Sequence, residues 1–583
     1  MRSARHLVQL SHSFTDMGVV VNHSFYLVSR LYNMKKTGEL CDVTLVVQEE
    51  DIPAHRAVLS ACSDYFRAMF TSGMRESSDS KIVIKGVTGR AVSQLVDYAY
   101  TGELVVTRES ATDLARAASL LLMEEALEIC QTKLEECIDL ENCHELMNFS
   151  QSYNLKKLEA AVFASMGANF LQVRGTAEFL NMDVDTLCKL LQSDGLGVSG
   201  EQEVLDAAKV WLRHESTRSK HLGRVVEHVR FPLMSLGELS RHVRTDTALM
   251  ENSRVKDYLI EALWFHLSPH EQSVIEGPRT TVRAAGENLV VIGGRKKEED
   301  TLLDQVLFYD EKTQTWKEVA RMPKQICQHR AVVLNNFVYV VGGLTEANRE
   351  AASDVCYRYD PRTNSWLQVT SMQVRRTCFT FLESAGRLYA IGGTDGDKSL
   401  DSAEMYDPRS NTWRYVASFP EHVYGHAATT LPDGRLCVTG GFSRNRYHRW
   451  TFTYDVRQDT WGREIDMNTK RGWHVMQTFG DAVFVLGGCH LRPDGTRTMH
   501  LHTERMDLAS RQWSVLSPPP FTVGVGRATV LHGKIYVLRA AGEDLPALVW
   551  YDVEADKWGS DRDMPYKLSG STICTLKIPW NLR

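Results

Sequence analysis

A phrase that recurs through the C-terminal half constrains this chain more than any other feature, and its best-preserved copy is Tyr359-Asp360-Pro361-Arg362-Thr363-Asn364-Ser365-Trp366. Tyr309-Asp310 precedes Trp316, Tyr406-Asp407 precedes Trp413, Tyr454-Asp455 precedes Trp461, Met506-Asp507 precedes Trp513 and Tyr551-Asp552 precedes Trp558, always with the Trp six residues after the Asp. Upstream of five copies an apolar run closes on a glycine pair, at Gly293-Gly294, Gly342-Gly343, Gly392-Gly393, Gly440-Gly441 and Gly487-Gly488; the sixth has drifted to Arg539-Ala540-Ala541-Gly542. Successive Trp positions (316, 366, 413, 461, 513, 558) lie 50, 47, 48, 52 and 45 residues apart. That period points to propeller blades of about 50 residues.

Within one unit, Phe337-Val338-Tyr339-Val340-Val341 reads as a buried strand. Tyr357 to Asp360 is a second, entering a turn where Asp and Pro supply hydrogen bonding and a preset φ, and Trp366 opens a third. One such sheet cannot bury both faces, but six packed radially can, with the six Trp side chains filling the spaces between them. Each unit begins with a segment such as Met322-Pro323 running to Val332-Val333-Leu334, and the first Gly-Gly run has no good copy before it. Met564-Pro565 through Thr572-Ile573-Cys574-Thr575-Leu576 is the missing copy, so the last strand is expected to complete the first sheet.

These repeats resemble the Kelch repeat, which implies a six-bladed Kelch propeller over 280–583, closed by the C-terminal strand.

The N-terminal half has a different rhythm. After a polar stretch over 1–20, read as a flexible N-terminus, Phe25, Val28, Leu31 and Tyr32 fall at helical spacing. A β-branched strand follows at 40–47, then a helix opened by Ser63 as N-cap with Tyr65, Phe66, Met69 and Phe70 on one face. Further along, Tyr100-Thr101-Gly102-Glu103-Leu104 reads as a turn into another short strand. The order of elements resembles the BTB domain, on Cys41-Asp42-Val43, Ala54-His55-Arg56 to Leu59, and Tyr98-Ala99-Tyr100-Thr101-Gly102. It implies an α/β BTB domain over 21–137. From 138 to about 270 the periodicity is helical throughout, and Leu140-Glu141-Asn142-Cys143, residues 207–211 and Val229-Arg230-Phe231-Pro232-Leu233-Met234 resemble the all-α BACK domain of the Kelch-like family.

At 583 residues the chain is long enough for several domains. A net charge of −6 lacks the basic balance of a nucleic-acid binder. Twelve cysteines without a C-x-x-C pair read as reduced intracellular thiols, so neither a structural metal nor disulfides are implied. The N-terminus has no apolar run long enough for a signal peptide, and no stretch reaches membrane-helix length.

Three sharper readings compete with plainer ones. Gly195-Leu196-Gly197-Val198-Ser199-Gly200 spells a dinucleotide fingerprint, but helical residues precede it and Glu201 and Glu203 would oppose a pyrophosphate, so a capping box from Ser199 to Gln202 is expected instead. His55, with no ligand at metal spacing, reads as a structural hydrogen-bonding residue. Cys327 beside His329 and Cys378 beside Arg375 and Arg376 are the thiols with basic neighbours, and burial in a strand is the plainer fate for both. Copper-radical oxidases also use Kelch-type propellers, yet no nucleophile elbow is present and fold alone fixes no chemistry.

The Kelch-like resemblance implies a non-catalytic adaptor without cofactors, cytoplasmic and with room for nuclear or cytoskeletal association as well. Its BTB domain would bind cullin-3 and form a homodimer, and its propeller would capture a protein for ubiquitylation. The alternative is an actin-associated scaffold. The cullin contact would lie at Met74-Arg75-Glu76 with Tyr65 and Phe70, and the dimer contact at Phe25, Val28, Leu31 and Tyr32. On the propeller, the loops that emerge on one face offer Gln328, His329, Arg375, Arg376, Tyr424, His426, Arg444, Arg446, Lys470, Arg471, Trp473 and His474. That mix of arginine and aromatic residues suits an acidic degron; neither nucleic acid nor membrane is expected as a partner.

Overall fold

In a computed structural model of the chain, the described residues are 23–72, 79–297, 299–345, 348–492, 494–500, 502–520, 523, 526–539, 547–560, 562 and 564–583. The segment read as a flexible N-terminus, 1–20, lies outside them. Two compact units result, 1–166 and 167–583. The division falls inside the helical stretch expected over 138–270, so helix Cys143–Ser152 belongs to the first unit and the helices from Phe170–Val173 onward to the second.

In the first unit, strand Val43–Val47 buries Val43, Leu45 and Val47 on one face, as a period of two requires. It pairs antiparallel with Glu50–Ala54 and parallel with Lys81–Ile84. Ser63 caps helix Asp64–Thr71 as expected, its hydroxyl accepting from the Phe66 amide at 3.1 Å. Helix Gly89–Thr101 ends on Gly102 at φ 70°, a left-handed cap. The short strand expected next does not form: 103–107 takes part in no ladder among the described residues. His55 is buried with Nδ1 2.7 Å from the Tyr100 hydroxyl and Nε2 3.1 Å from the Glu39 carbonyl, a structural histidine.

The second unit opens with helices and continues into sheets. Helix Val184–Gln192 precedes the Gly195–Gly200 stretch, which therefore lacks the strand a dinucleotide site needs. The expected capping box is replaced. Gly200 is the N-cap of helix Glu201–His214 without a side-chain cap, the Ser199 amide donates to Glu203 at 2.8 Å, and the Gln202 amide group meets Asp206 and His242. Glu201, buried, is held by Arg283 at 2.6 Å and by the Arg230 amide at 2.9 Å, so this helix start serves the packing of its own unit.

Six larger sheets follow: five have four strands in the order they leave the chain, and the first has five, the strands of 287–321 joined by 568–569 and 572–577 from the end of the chain. The recurring phrase is the turn between the outer two strands. Its Tyr hydroxyl donates to the side chain five residues on, Tyr309 to Gln314 at 2.9 Å, Tyr359 to Asn364 at 3.0 Å, Tyr406 to Asn411 at 2.8 Å, Tyr454 to Asp459 at 2.6 Å and Tyr551 to Asp556 at 2.8 Å. Each acceptor sits at a positive φ, where Asn and Asp are the best tolerated non-glycine residues. The Asp carboxylate accepts an amide two or three residues on, as at Arg362 (3.0 Å) and Arg409 (3.0 Å). In the fifth copy Met506 replaces Tyr and Arg511 occupies the left-handed position at φ 57°.

Each of the six Trp residues joins a different apolar cluster between two sheets: Trp366 between the first and second, Trp413 the second and third, Trp461 the third and fourth, Trp513 the fourth and fifth, Trp558 the fifth and sixth, and Trp316 the sixth and first. The glycine pairs explain themselves at Gly343: φ is 93°, and a Cβ there would lie 2.6 Å from the Cys327 carbonyl and 2.7 Å from the His329 amide. Strand Thr572–Lys577 pairs antiparallel with Glu287–Lys296, from Thr572 opposite Ile292 to Lys577 opposite Glu287.

Candidate functional site

In the first unit, helix His23–Thr37 packs on Gly89–Thr101, with the Tyr32 ring 6.2 Å from Tyr100 and Lys35 paired to Asp97. Leu31 and Tyr32 are half-buried there, whereas Val28 is exposed along with Tyr26 and Leu27, which sequence reasoning left out. The Phe25 side chain lies outside the description. Tyr65 and Phe70 are half-buried on helix Asp64–Thr71, Phe70 stacked 5.8 Å from Phe66 and covered by the Arg56 guanidinium at 4.6 Å. Met74, Arg75 and Glu76 lie outside the described residues.

In the second unit, the expected face separates into surface and interior. Arg375, Arg444, Arg446 and Lys470 are exposed, and Gln328, Tyr424 and Trp473 are half-buried. Arg375 reaches Asp397 at 3.3 Å and Arg444 reaches Glu421 at 3.8 Å, both on the surface and of small energetic weight. Tyr424 and Trp473 belong to one aromatic cluster with Phe442 and Tyr447. Tyr424 stands 5.6 Å from Phe442 and 5.7 Å from Trp473, Phe442 stands 4.9 Å from Tyr447, and Arg497 lies 4.6 Å over the Trp473 ring. The short hairpin Phe442–Ser443 with Arg446–Tyr447 carries part of this cluster and presents Arg444 and Arg446 beside it.

Five expected rim residues are corrected by their burial. Arg376 is fully enclosed, donating to the Gly392 and Ser402 carbonyls at 2.9 and 2.8 Å and to Glu404 at 2.7 Å. Arg471 repeats the arrangement with the Gly487 carbonyl at 2.7 Å and with Glu504. Glu404 also accepts the Gln373 and Val374 amides at 2.7 and 3.1 Å, so each pair closes its own loop and offers a ligand nothing. His329, His426 and His474 are buried at the start of their strands. Burial first, then nearby arginine charge, holds His329 and His426 at about 3 and His474 well below its ordinary value, so all three are neutral. Cys327 is buried and Cys378 half-buried.

What sequence reasoning missed is a tier of strained backbone. The residues two before the first strands of five sheets, Gly570, Gln328, Cys378, Gly425 and Trp473, all have φ between 53° and 67°. For Trp473 in particular that is a costly conformation of the kind that clusters at ligand sites. Among the described residues no group of His, Cys, Asp and Glu could hold a metal, and no helix is long and apolar enough to cross a membrane.

Comparison with known proteins gives three domain matches: the BTB/POZ domain over 31–138, the BACK (BTB And C-terminal Kelch) domain over 143–244, and the KLHDC2/KLHL20/DRC7 Kelch-repeats domain over 279–488. The chain is 32% identical to Kelch-like protein 26 of Danio rerio over 569 residues, 96% of this chain and 94% of the relative. It is 31% identical to Kelch-like protein 36 of Bos taurus over 572 residues, 95% and 92% of the two chains. With Kelch-like protein 26 of Homo sapiens the identity is 35% over 427 residues, 72% and 69% of the two chains.

Proposed function

The chain belongs to the Kelch-like family, in which BTB and BACK domains precede Kelch repeats, and from that premise we propose that it is the substrate-recognition adaptor of a cullin-3 RING ubiquitin ligase. In this reading the BTB domain over 21–137 binds cullin-3 through Met74, Arg75 and Glu76 beside Tyr65 and Phe70, and dimerises through the first helix. The BACK domain over 138–270 joins it to a six-bladed propeller over 280–583, whose first blade the C-terminal strand completes. The propeller captures the target protein. No bond is made or broken by this chain. Holding a target lysine near a charged conjugating enzyme raises its effective concentration, and that is the whole of the catalysis.

The observation that carries the reading is the face of the second unit on which Tyr424, Phe442, Tyr447 and Trp473 cluster under Arg497, with Arg375, Arg444, Arg446 and Lys470 exposed on the loops. Aromatic and arginine side chains together are the usual anchors of a protein interface. The six inter-sheet clusters and the pairing of 572–577 with 287–296 support closure of the propeller.

The test is co-purification of cullin-3 with the full-length chain. Met74→Ala combined with Glu76→Ala is expected to abolish it while the protein keeps its melting temperature; undiminished co-purification overturns the contact, and absence of cullin-3 from the unmodified chain overturns the function.

A further inference from the structure

Across each boundary between neighbouring sheets, the residue three before the glycine pair of one sheet, or before its drifted copy, meets the Tyr of the recurring phrase in the next. Between the second and third sheets these are Tyr339 and Tyr406, ring centroids 5.8 Å apart; between the third and fourth, Tyr389 and Tyr454 at 5.9 Å; between the fifth and sixth, Phe484 and Tyr551 at 6.1 Å. Between the sixth and first, Tyr536 and Tyr309 share one apolar cluster, and between the first and second Tyr359 shares one with Val290. Between the fourth and fifth both rings are gone, because Cys437 and Met506 stand at the two positions.

That boundary opens on a cleft of about 490 Å³, a volume in the range of small-ligand pockets. It lies where the turns between strands one and two and between strands three and four emerge, at the end of the sheets opposite the glycine pairs and so opposite the aromatic face. One wall is apolar, with Leu431 and Pro432 from the fourth sheet and Met506 and Leu508 from the fifth. The other holds Glu464, whose side chain is only 13% exposed. Glu464 accepts from the Thr453 hydroxyl at 3.1 Å and pairs with Arg511 and, at 3.5 Å, with Arg435. Arg511 stands where the other five copies put the Asn, Gln or Asp that accepts from their own Tyr hydroxyl. The fifth repeat has therefore lost a phenol and its acceptor together, and a carboxylate from the neighbouring sheet lines the place.

Elsewhere on the same face the chain lays one of its own segments into the corresponding notch. Between the second and third sheets the Ser273 hydroxyl is 2.7 Å from the Tyr339 hydroxyl, and the Asn335 side chain donates to the Ser273 carbonyl at 2.9 Å. His270 lies 3.4 Å from the Asn411 side chain, and Val274 packs on the apolar cluster. Tyr339 and Asn411 are the counterparts of Cys437 and Arg511.

We propose that the cleft between the fourth and fifth sheets docks a segment of a partner protein through a tyrosine side chain. The ring rests on Leu431, Met506 and Leu508, and the hydroxyl donates to Glu464 and accepts from Arg511. A ring without the hydroxyl would cover both charged groups and match neither, a desolvation cost that a phenol avoids. Asp433, Glu464 and Asp481 outnumber Arg435 and Arg511 in the lining, so a neutral phenol is favoured over an anionic group. The site goes beyond target capture, which uses the other face.

The experiment is saturation-transfer NMR on the full-length protein with N-acetyltyrosinamide, its phenylalanine analogue and its O-phosphorylated form. Saturable binding of the tyrosine amide is expected. The phenylalanine analogue, lacking a hydrogen bond to a charged group, binds about tenfold or more weaker. The phosphorylated form is also weaker, because it adds negative charge to a lining that already has an excess. Met506→Tyr with Arg511→Asn gives the fifth repeat the residues of the second and third. It is expected to fold and to weaken binding by about tenfold or more, since the ring is then supplied from within. Should it fail to fold, Leu508→Glu, which copies Glu311 of the first sheet, tests the site by weakening binding to the same degree. No saturable binding of the tyrosine amide, equal or tighter binding of either other form, or binding unchanged in the variants overturns the proposal. So does tighter binding of free tyrosine than of its amide, which would assign the cleft to a small phenolic ligand. Cullin-3 co-purification is expected to be the same in these variants, so the two readings fail separately.

Discussion

Arg376 and Glu404 are both fully buried, and both terminal nitrogens of the guanidinium and both carboxylate oxygens are matched by carbonyls, the Ser402 hydroxyl, backbone amides or each other, leaving only the Arg376 Nε without a partner. Arg375, one residue earlier, lies in solvent. Successive side chains in extended chain point to opposite sides, so a single step decides between ligand-facing cation and internal staple. Removing one member of such a buried pair strands the other charge, which typically costs about 3–5 kcal/mol. Arg376→Ala is therefore expected to lower stability by about that amount in urea denaturation followed by tryptophan fluorescence, and Glu404→Gln by a comparable amount. A loss below about 1 kcal/mol would show that the pair is not a staple. The same holds for Arg471 and Glu504. By contrast Arg444 and Arg446 are exposed, and their replacement leaves the denaturation midpoint where it is.

At the level of the strand, the repeats carry a natural substitution. His329, Phe379, His426 and His474 each immediately precede the first strand of a sheet and press against the second glycine of a pair, at Gly343, Gly393, Gly441 and Gly488. An apolar ring thus already serves in the third sheet where histidine serves in three others. Unfolded, these histidines take up protons below pH 6.5; folded, His329 and His426 resist until about pH 3. The unfolded state binds more protons across that window, so stability is full above pH 6.5 and is lost as the pH falls. His329 and His426 should each cost about 1.6 kcal/mol between pH 6.5 and pH 5. His329→Phe is expected to fold, and to lose about that much less stability than the unmodified protein over the same interval, measured as denaturation free energies at the two pH values. Parallel pH profiles for the two proteins would contradict the burial of a neutral imidazole.

For the molecule as a whole, helix His23–Thr37 presents Tyr26, Leu27 and Val28 to solvent while its opposite side packs on Gly89–Thr101. Three consecutive exposed apolar side chains on an anchored helix suit an isologous contact with a second copy. Leu27→Asp combined with Val28→Asp is expected to halve the mass seen by light scattering from twice 66.0 kDa to 66.0 kDa, without unfolding the first unit. A dimer carries two capture faces, so the same variant should weaken binding to a surface-immobilised partner by about a hundredfold or more through lost avidity, while affinity for that partner in solution stays the same. Unchanged mass would rule this helix out as the dimer contact.

The sequence by itself determined the number of repeats, the phase at which they begin, the role of the Tyr-Asp turn and the partnership of 572–577 with 287–296, because these depend on local preferences and on a pattern repeated six times. It also determined the Trp residues as fillers between sheets, since six large side chains at one period have no other place to be buried. Only the tertiary structure decided which cations are available. Arg376, Arg471, His329, His426 and His474 read as rim residues from their loops, yet all five are buried: carbonyls and carboxylates of their own sheets enclose the two arginines, and Thr380 and Ile391 meet His426 and Thr439 meets His474 from the preceding sheet. Arg330 and Arg527 gave no sign, because a lone arginine at the head of a strand is ordinary until two of them, 197 positions apart (527 − 330), face one cavity that no carboxylate among the described residues lines. Burial and charge balance are sums over neighbours brought from distant parts of the chain, and no local window of sequence contains those neighbours.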